Sequence, residues 1–168
     1  MDDFNRLIAE HIPRLRRYSR ALLRDRAHAD DLLQDTLERA WDKRRLWRSD
    51  SNLRAWLFTI MHNVFVNQRR QEKSRPTVAM DEEALSVSGN NSAEQPVLLR
   101  DIENALEALS IEYREVVVLI GLEQLRYEEA AEVLNIPIGT VMSRLARGRE
   151  KLRTLMSGAN APQLRRVK

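Results

Sequence analysis

The chain has 168 residues and no cysteine, which excludes a disulfide framework, a thiolate metal site, a cysteine nucleophile and a direct thiol sensor. Only five glycines and five prolines, with 32% charged residues, favour helix. The net charge of +3 hides three unequal blocks: residues 1–76 hold 17 basic and 11 acidic side chains, 77–137 hold 3 and 13, and 138–168 hold 8 and 1. Two basic blocks around an acidic middle suggest contact with a polyanion at two places, although such blocks also serve as solvated helix faces. No apolar run approaches the ~20 residues of a membrane span, and Asp2, Asp3 and Arg6 do not open a secretory signal. A cytoplasmic location is expected.

In chain order, Leu7, Ile8, Ile12, Leu15, Tyr18, Leu22 and Leu23 fit one face of a first helix, with Pro13 as an irregularity inside it. Leu32, Leu33, Leu37, Ala40, Trp41 and Leu46 fit a second, and the Asp30–Asp31 pair suits its positive amino end. Ser49 to Asn52 form a polar break with N-cap candidates. A third helix carries Leu53, Trp56, Leu57, Ile60, Met61, Val64 and Phe65, ends in a basic run and is closed by Pro76. Residues 77–96 lack periodicity and are acidic, and read as a flexible linker between two small helical domains, 1–76 and 97–157. In the second, Val97, Leu98, Ile102, Ala105, Leu106 and Leu109 make one amphipathic helix. Val116 to Leu122 lie in the next, Glu128 to Leu134 form a short helix, and a longer one runs from about Gly139 to Met156. A loose basic tail is expected over 158–168. The fold class is all-α.

The stretch from Tyr127 to Arg147 has the order of a helix-turn-helix. Ala131 is small where two helices would cross, and Asn135 tolerates the left-handed conformation of the turn. Val141, Leu145, Gly148 and Leu152 keep one face of the second helix inward. Thr140, Met142, Ser143, Arg144 and Arg147 then point outward, offering hydroxyl and guanidinium donors suited to a DNA major groove. Arg149, Lys151 and Arg153 lie further along, where phosphates would be met. A helical hairpin with a solvated basic face is the alternative at this point.

The first domain narrows the choice. Ala29 to Trp41, followed by Asn52 to Asn63, resembles region 2 of bacterial RNA polymerase sigma factors of the extracytoplasmic-function (ECF) group, and Gly139 to Arg153 resembles region 4 of the same group. The resemblance implies that Asp31, Gln34, Asp35, Glu38 and Trp41 bind the clamp coiled coil of core polymerase. It implies that Arg48, Ser49, Asp50, Ser51, Asn52, Trp56, Asn63, Asn67, Arg69, Arg70 and Lys73 recognise and melt the minus-ten element, through a flipped base and a cation-held backbone. It further implies that Ser143, Arg144 and Arg147, with Thr140, Met142, Arg149 and Lys151 around them, read the minus-thirty-five element. Met142 stands where the family places a polar residue; it can touch a thymine methyl but donates no hydrogen bond. Apart from the resemblance, acids merely solvating a helix are the favoured reading of the first set, and core packing that of Trp41 and Trp56. Asp81, Glu82 and Glu83 of the linker resemble the segment that threads a positively charged channel of polymerase.

No enzyme is indicated. His11, His28 and His62 fall on different helices without metal-ligand spacing, and neither a phosphate-cradling loop nor a nucleophile elbow is present. No cofactor or metal is expected. The resemblance implies an alternative sigma factor whose partners are core RNA polymerase, promoter DNA and an anti-sigma protein. The rival readings are a conventional helix-turn-helix regulator and a sigma mimic that titrates an anti-sigma protein.

Overall fold

The computed structural model describes residues 2–74 and 97–160, and the linker 77–96 with Asp81, Glu82 and Glu83, together with the last eight residues, lies outside them. The described residues form seven α-helices: α1 (Asp2–Leu22), α2 (Arg26–Asp42), α3 (Leu53–Ser74), α4 (Val97–Ala108), α5 (Ile111–Val117), α6 (Tyr127–Leu134) and α7 (Ile138–Asn160). A 3₁₀ turn, Arg44–Leu46, follows α2, and a π-helical turn, Val118–Leu122, continues α5.

The caps explain where the helices begin. Asp25, not the Asp30–Asp31 pair, caps α2, its carboxylate accepting from the His28 amide at 3.1 Å. The pair sits one turn further in, so its acidic character marks the helix but not its first residue. Asn52 is the residue of the polar break that caps α3, accepting from the Ala55 amide at 3.2 Å. Periodicity places Leu46 on the second helix, but it lies in the 3₁₀ turn and is 73% exposed. Pro13 is accommodated within α1.

α1, α2 and α3 form a three-helix bundle around Leu15, Tyr18, Leu22, Leu32, Leu57, Phe58 and Met61, all buried. Tyr18 and Phe58 meet edge to face with ring centroids 5.2 Å apart. At one end Phe4 gathers Trp41, Trp47 and Trp56 at centroid distances of 6.3, 5.6 and 6.3 Å. Burial raises the Tyr18 pKa well above its ordinary value, and Glu115 and Glu123 push it further. Its hydroxyl has no hydrogen-bond partner among the described residues. A buried donor without a partner is unfavourable, so Tyr18→Phe is expected to leave stability unchanged or raise it by about 1 kcal/mol. A urea titration checks this, and a loss above that size would mean the hydroxyl is satisfied.

In the second half, α5, α6 and α7 enclose Val116, Leu119, Ala130, Val133, Val141 and Leu145. Ala130 rather than Ala131 is the fully buried small residue of α6; Ala131 is half-buried. Gly148 has a packing reason: a Cβ there would lie 2.7 Å from Val117 Cγ2 and 3.4 Å from Tyr113 Cβ. Gly148→Ala therefore gains helix propensity of up to about 1 kcal/mol but overpacks the α5–α7 crossing by about 1–3 kcal/mol. Net destabilisation is expected, and Val117→Ala in the same chain should reverse its sign. A double-mutant cycle reads the coupling.

The α4 pattern is only half informative. Of the expected buried stripe, Ala105 and Leu109 are buried and Leu106 is half-buried, but Val97, Leu98 and Ile102 are 73%, 58% and 37% exposed. Periodicity reports that a helix has an apolar side; it does not report whether a neighbour exists to cover it. α7 also runs beyond the expected end at Met156, through Gly158.

Candidate nucleic-acid interface

The turn between α6 and α7 is built as its sequence requires. Asn135 adopts φ 52° and ψ 50°, the left-handed region, and the Ile136 amide donates to the Ala131 carbonyl at 3.1 Å. Pro137 then opens α7, its carbonyl accepting from the Thr140 and Val141 amides. With Val141, Leu145 and Gly148 facing inward, Met142, Ser143, Arg147 and Arg149 are exposed along α7. Thr140 is half-buried, and its carbonyl accepts from Ser143 Oγ at 3.2 Å. Arg144 is half-buried too, its guanidinium 3.9 Å from Glu112 on α5. Lys151 lies over the Tyr113 ring at 5.0 Å from the centroid. Two of the cations read from the sequence as outward are thus backed by α5.

The loop before α3 is organised around Arg48. Its carbonyl accepts from the Ser51 amide and hydroxyl at 2.9 and 2.7 Å, and its guanidinium pairs with Asp50 at 3.2 Å. Ser49, Asp50, Ser51 and Asn52 are exposed, and Trp56 is half-buried against Phe4. Along α3, Asn63, Asn67, Arg70 and Lys73 are exposed, while Arg69 lies over the Phe65 ring at 5.5 Å.

On α2, Asp31, Gln34, Asp35 and Glu38 are exposed, and Trp41 is half-buried beneath the Arg44 guanidinium at 4.4 Å. Gln34 donates to Glu38 at 3.2 Å, and Gln68 of α3 donates to Asp35 at 2.7 Å. Asp35, Glu38, Asn67 and Gln68 line one groove between α2 and α3. Residues assigned from sequence to two different surfaces, Asp35 and Asn67, therefore share one.

The sequence reading missed the polar seam between the two halves. Arg17, Arg24, Arg54 and His62 from the first half meet Glu123, Glu107, Glu129 and Glu115 of the second. The charge contrast between the blocks was a usable signal; which residues pair was not readable from it. Among the described residues, no group of three or more His, Cys, Asp or Glu is placed to hold a metal ion, and no helix is long and apolar enough to cross a membrane.

A three-helix bundle followed by a helix-turn-helix with a cationic outer face defines a two-part, all-helical transcription factor. Residues 8–62 match the family model described as the Sigma2 domain of PhyR, and residues 99–152 match Sigma-70, region 4. The chain is 32% identical over 145 residues to the ECF RNA polymerase sigma factor EcfG of Rhodopseudomonas palustris, covering 86% of this chain and 80% of that one. It is 32% identical to the RNA polymerase sigma factor CarQ of Myxococcus xanthus, covering 92% and 90%. The solved sigma factor RpoE of Bartonella quintana, in complex with the anti-sigma factor NepR, superposes with a TM-score of 0.79 at 34% identity, covering 94% of this chain and 98% of that chain. The chain belongs to the ECF family of RNA polymerase sigma factors. It is accordingly a transcription initiation factor of a non-enzymatic family, working with core polymerase and promoter DNA.

Proposed function

We propose that residues 1–76 bind core polymerase and open the minus-ten element, that residues 97–157 read the minus-thirty-five element, and that an anti-sigma protein controls the chain in the cytoplasm. The observation that carries the DNA assignment is the left-handed turn at Asn135, which leaves Ser143 and Arg147 exposed on the outer side of α7. Guanidinium donors on a helix that can enter the major groove match guanine edges. The exposed carboxylates of Asp31, Asp35 and Glu38 support a clasp with cationic side chains on a partner helix. The loop from Arg48 to Asn52 and the exposed Asn63, Asn67, Arg70 and Lys73 support capture of a single strand beside its backbone. Two modest DNA contacts tethered to one enzyme act at high effective concentration. Control by an anti-sigma protein rests on the likeness to RpoE, which was solved with NepR.

The match of the first half to the Sigma2 domain of PhyR keeps a second reading in view, a sigma mimic that occupies an anti-sigma protein. One experiment separates them. The full chain is mixed with sigma-free core polymerase, resolved by gel filtration, and the complex is supplied with a genomic promoter pool. Co-elution with new specific start sites is expected. Co-elution without transcripts favours the mimic, and failure of folded protein to associate with core from its own host removes the proposal.

A further inference from the structure

The exposed side of α7 is divided lengthwise into two chemically different flanks. With Val141, Leu145 and Gly148 turned inward, residues four apart form rows along the helix. One flank carries Arg144, half-buried toward Glu112, and Lys151, which lies over Tyr113. The crest between the flanks carries Ser143 and Arg147, both exposed. The opposite flank is apolar. Ile138 and Met142, four residues apart, are 43% and 51% exposed, and Ala146 continues the row, also exposed. The row meets its first cation at Arg149, exposed two turns beyond Met142.

Single exposed apolar side chains are common on any protein surface. A row of them that starts at Ile138, the first residue of α7, is different, because the amino-terminal part of this helix supplies the base contacts of a helix-turn-helix. The row is continuous with Ser143 and Arg147, so a duplex that receives those donors covers it too. The major groove offers such a row one matching group. Its base edges are lined with donors and acceptors, and the only apolar group among them is the thymine methyl. Pressed on a guanine or adenine edge, Ile138 and Met142 would strip polar atoms of water and return no hydrogen bond, which is unfavourable. Against a thymine methyl, both partners leave water together.

We propose that Ile138 and Met142 are specificity-determining residues that read thymine methyl groups on one strand of the minus-thirty-five element. The proposal rests on the promoter reading above and adds to it what the apolar flank recognises. The two residues are separated by roughly 6 Å along the helix axis. On one strand that reaches thymines one or two steps apart, at roughly 3.4 Å per step. Ile138 is branched at Cβ and holds few rotamers, so it sets a fixed wall. Met142 is unbranched and polarizable, and can follow a methyl whose position varies with local groove geometry. The labour is then divided across the helix: the guanidinium of Arg147 selects guanine by hydrogen bonds, and the apolar row selects thymine by contact.

Deoxyuridine differs from thymidine by that methyl alone, so it tests the proposal without altering base pairing. The full chain, assembled with core polymerase from its own host, is given promoter duplexes taken from the mapped start sites. Each thymine of the minus-thirty-five element is replaced in turn by deoxyuridine, and binding is measured by competition. Two positions on one strand, at most two steps apart, should each lose roughly fourfold in affinity, the worth of one methyl-sized group withdrawn from water. Replacements on the other strand should change binding little. Met142→Gln, close to methionine in size but polar, and Ile138→Ala should each abolish the response at one of the two positions. Both side chains are exposed, so the helices should persist, and circular dichroism checks this. Deoxyuridine without effect anywhere in the element, where scrambling the element abolishes binding, overturns the methyl reading and leaves the promoter reading standing. A deoxyuridine response that survives in both variants also overturns it, because duplex shape rather than these side chains then carries the effect. If scrambling too is without effect, the promoter reading falls and takes the proposal with it.

Discussion

Replacing Arg147 with alanine should lower transcription from a promoter with an intact minus-thirty-five element by roughly ten- to a hundredfold, the effect of losing one bidentate base contact of about 1–3 kcal/mol. Arg144→Ala should act in the same direction. Arg147 is exposed on α7, whereas Arg144 is half-buried with its guanidinium toward Glu112, so it must leave a weak ionic contact to reach a base. Lys151→Ala is the comparison. Lying over Tyr113 and further along the helix, it should weaken binding evenly across sequences and reduce the salt slope by about one. Run-off transcription on matched and scrambled minus-thirty-five elements at two salt concentrations separates the three. Equal losses on both templates for Arg147→Ala would refute base reading by that residue.

The second large effect is expected in the first bundle. Phe58 is 1% exposed and meets Tyr18 edge to face. Truncation to alanine removes a full ring from a site bounded by three helices, and buried aromatic-to-alanine changes cost about 3–5 kcal/mol. That is a large share of the total of roughly 5–15 kcal/mol available to a domain. Phe58→Ala should therefore lower the urea midpoint sharply with its slope unchanged. Trp56→Ala, two residues away but half-buried at the end of the bundle, should cost less. A loss for Trp56 as large as that for Phe58 would contradict the assigned packing.

These expectations draw on different layers of information. Asn135 was legible as the turn residue because asparagine tolerates the left-handed region, and φ 52° follows from local chemistry alone. The inward face of α7 was legible because Val141, Leu145 and Gly148 repeat at helical spacing, but of the residues read as outward only Met142, Ser143 and Arg147 are fully exposed, Thr140 and Arg144 being half-buried. The start of α2 was less so: two adjacent acids looked like its amino end, but the side chain that reaches a free amide is Asp25, and capping depends on geometry that composition does not carry. α4 shows the same limit from the apolar side, since its stripe was correctly periodic and yet Val97 and Leu98 stay exposed.

By itself the sequence determined the all-helical class, the order of bundle and helix-turn-helix, and the inward face of α7, because each follows from contacts within a few turns of chain. Only the tertiary structure decided how the two halves meet. That Arg17 finds Glu123 106 residues away, that Arg114 caps two helices at once, and that Gly148 must lack a Cβ at Val117 all depend on elements brought together from afar. A block of positive charge and a block of negative charge announce attraction, but at long sequence separation they do not say which pairs are buried. The π turn after α5 and the left-handed Gln124 made that choice for Glu123, and neither leaves a mark in composition or periodicity.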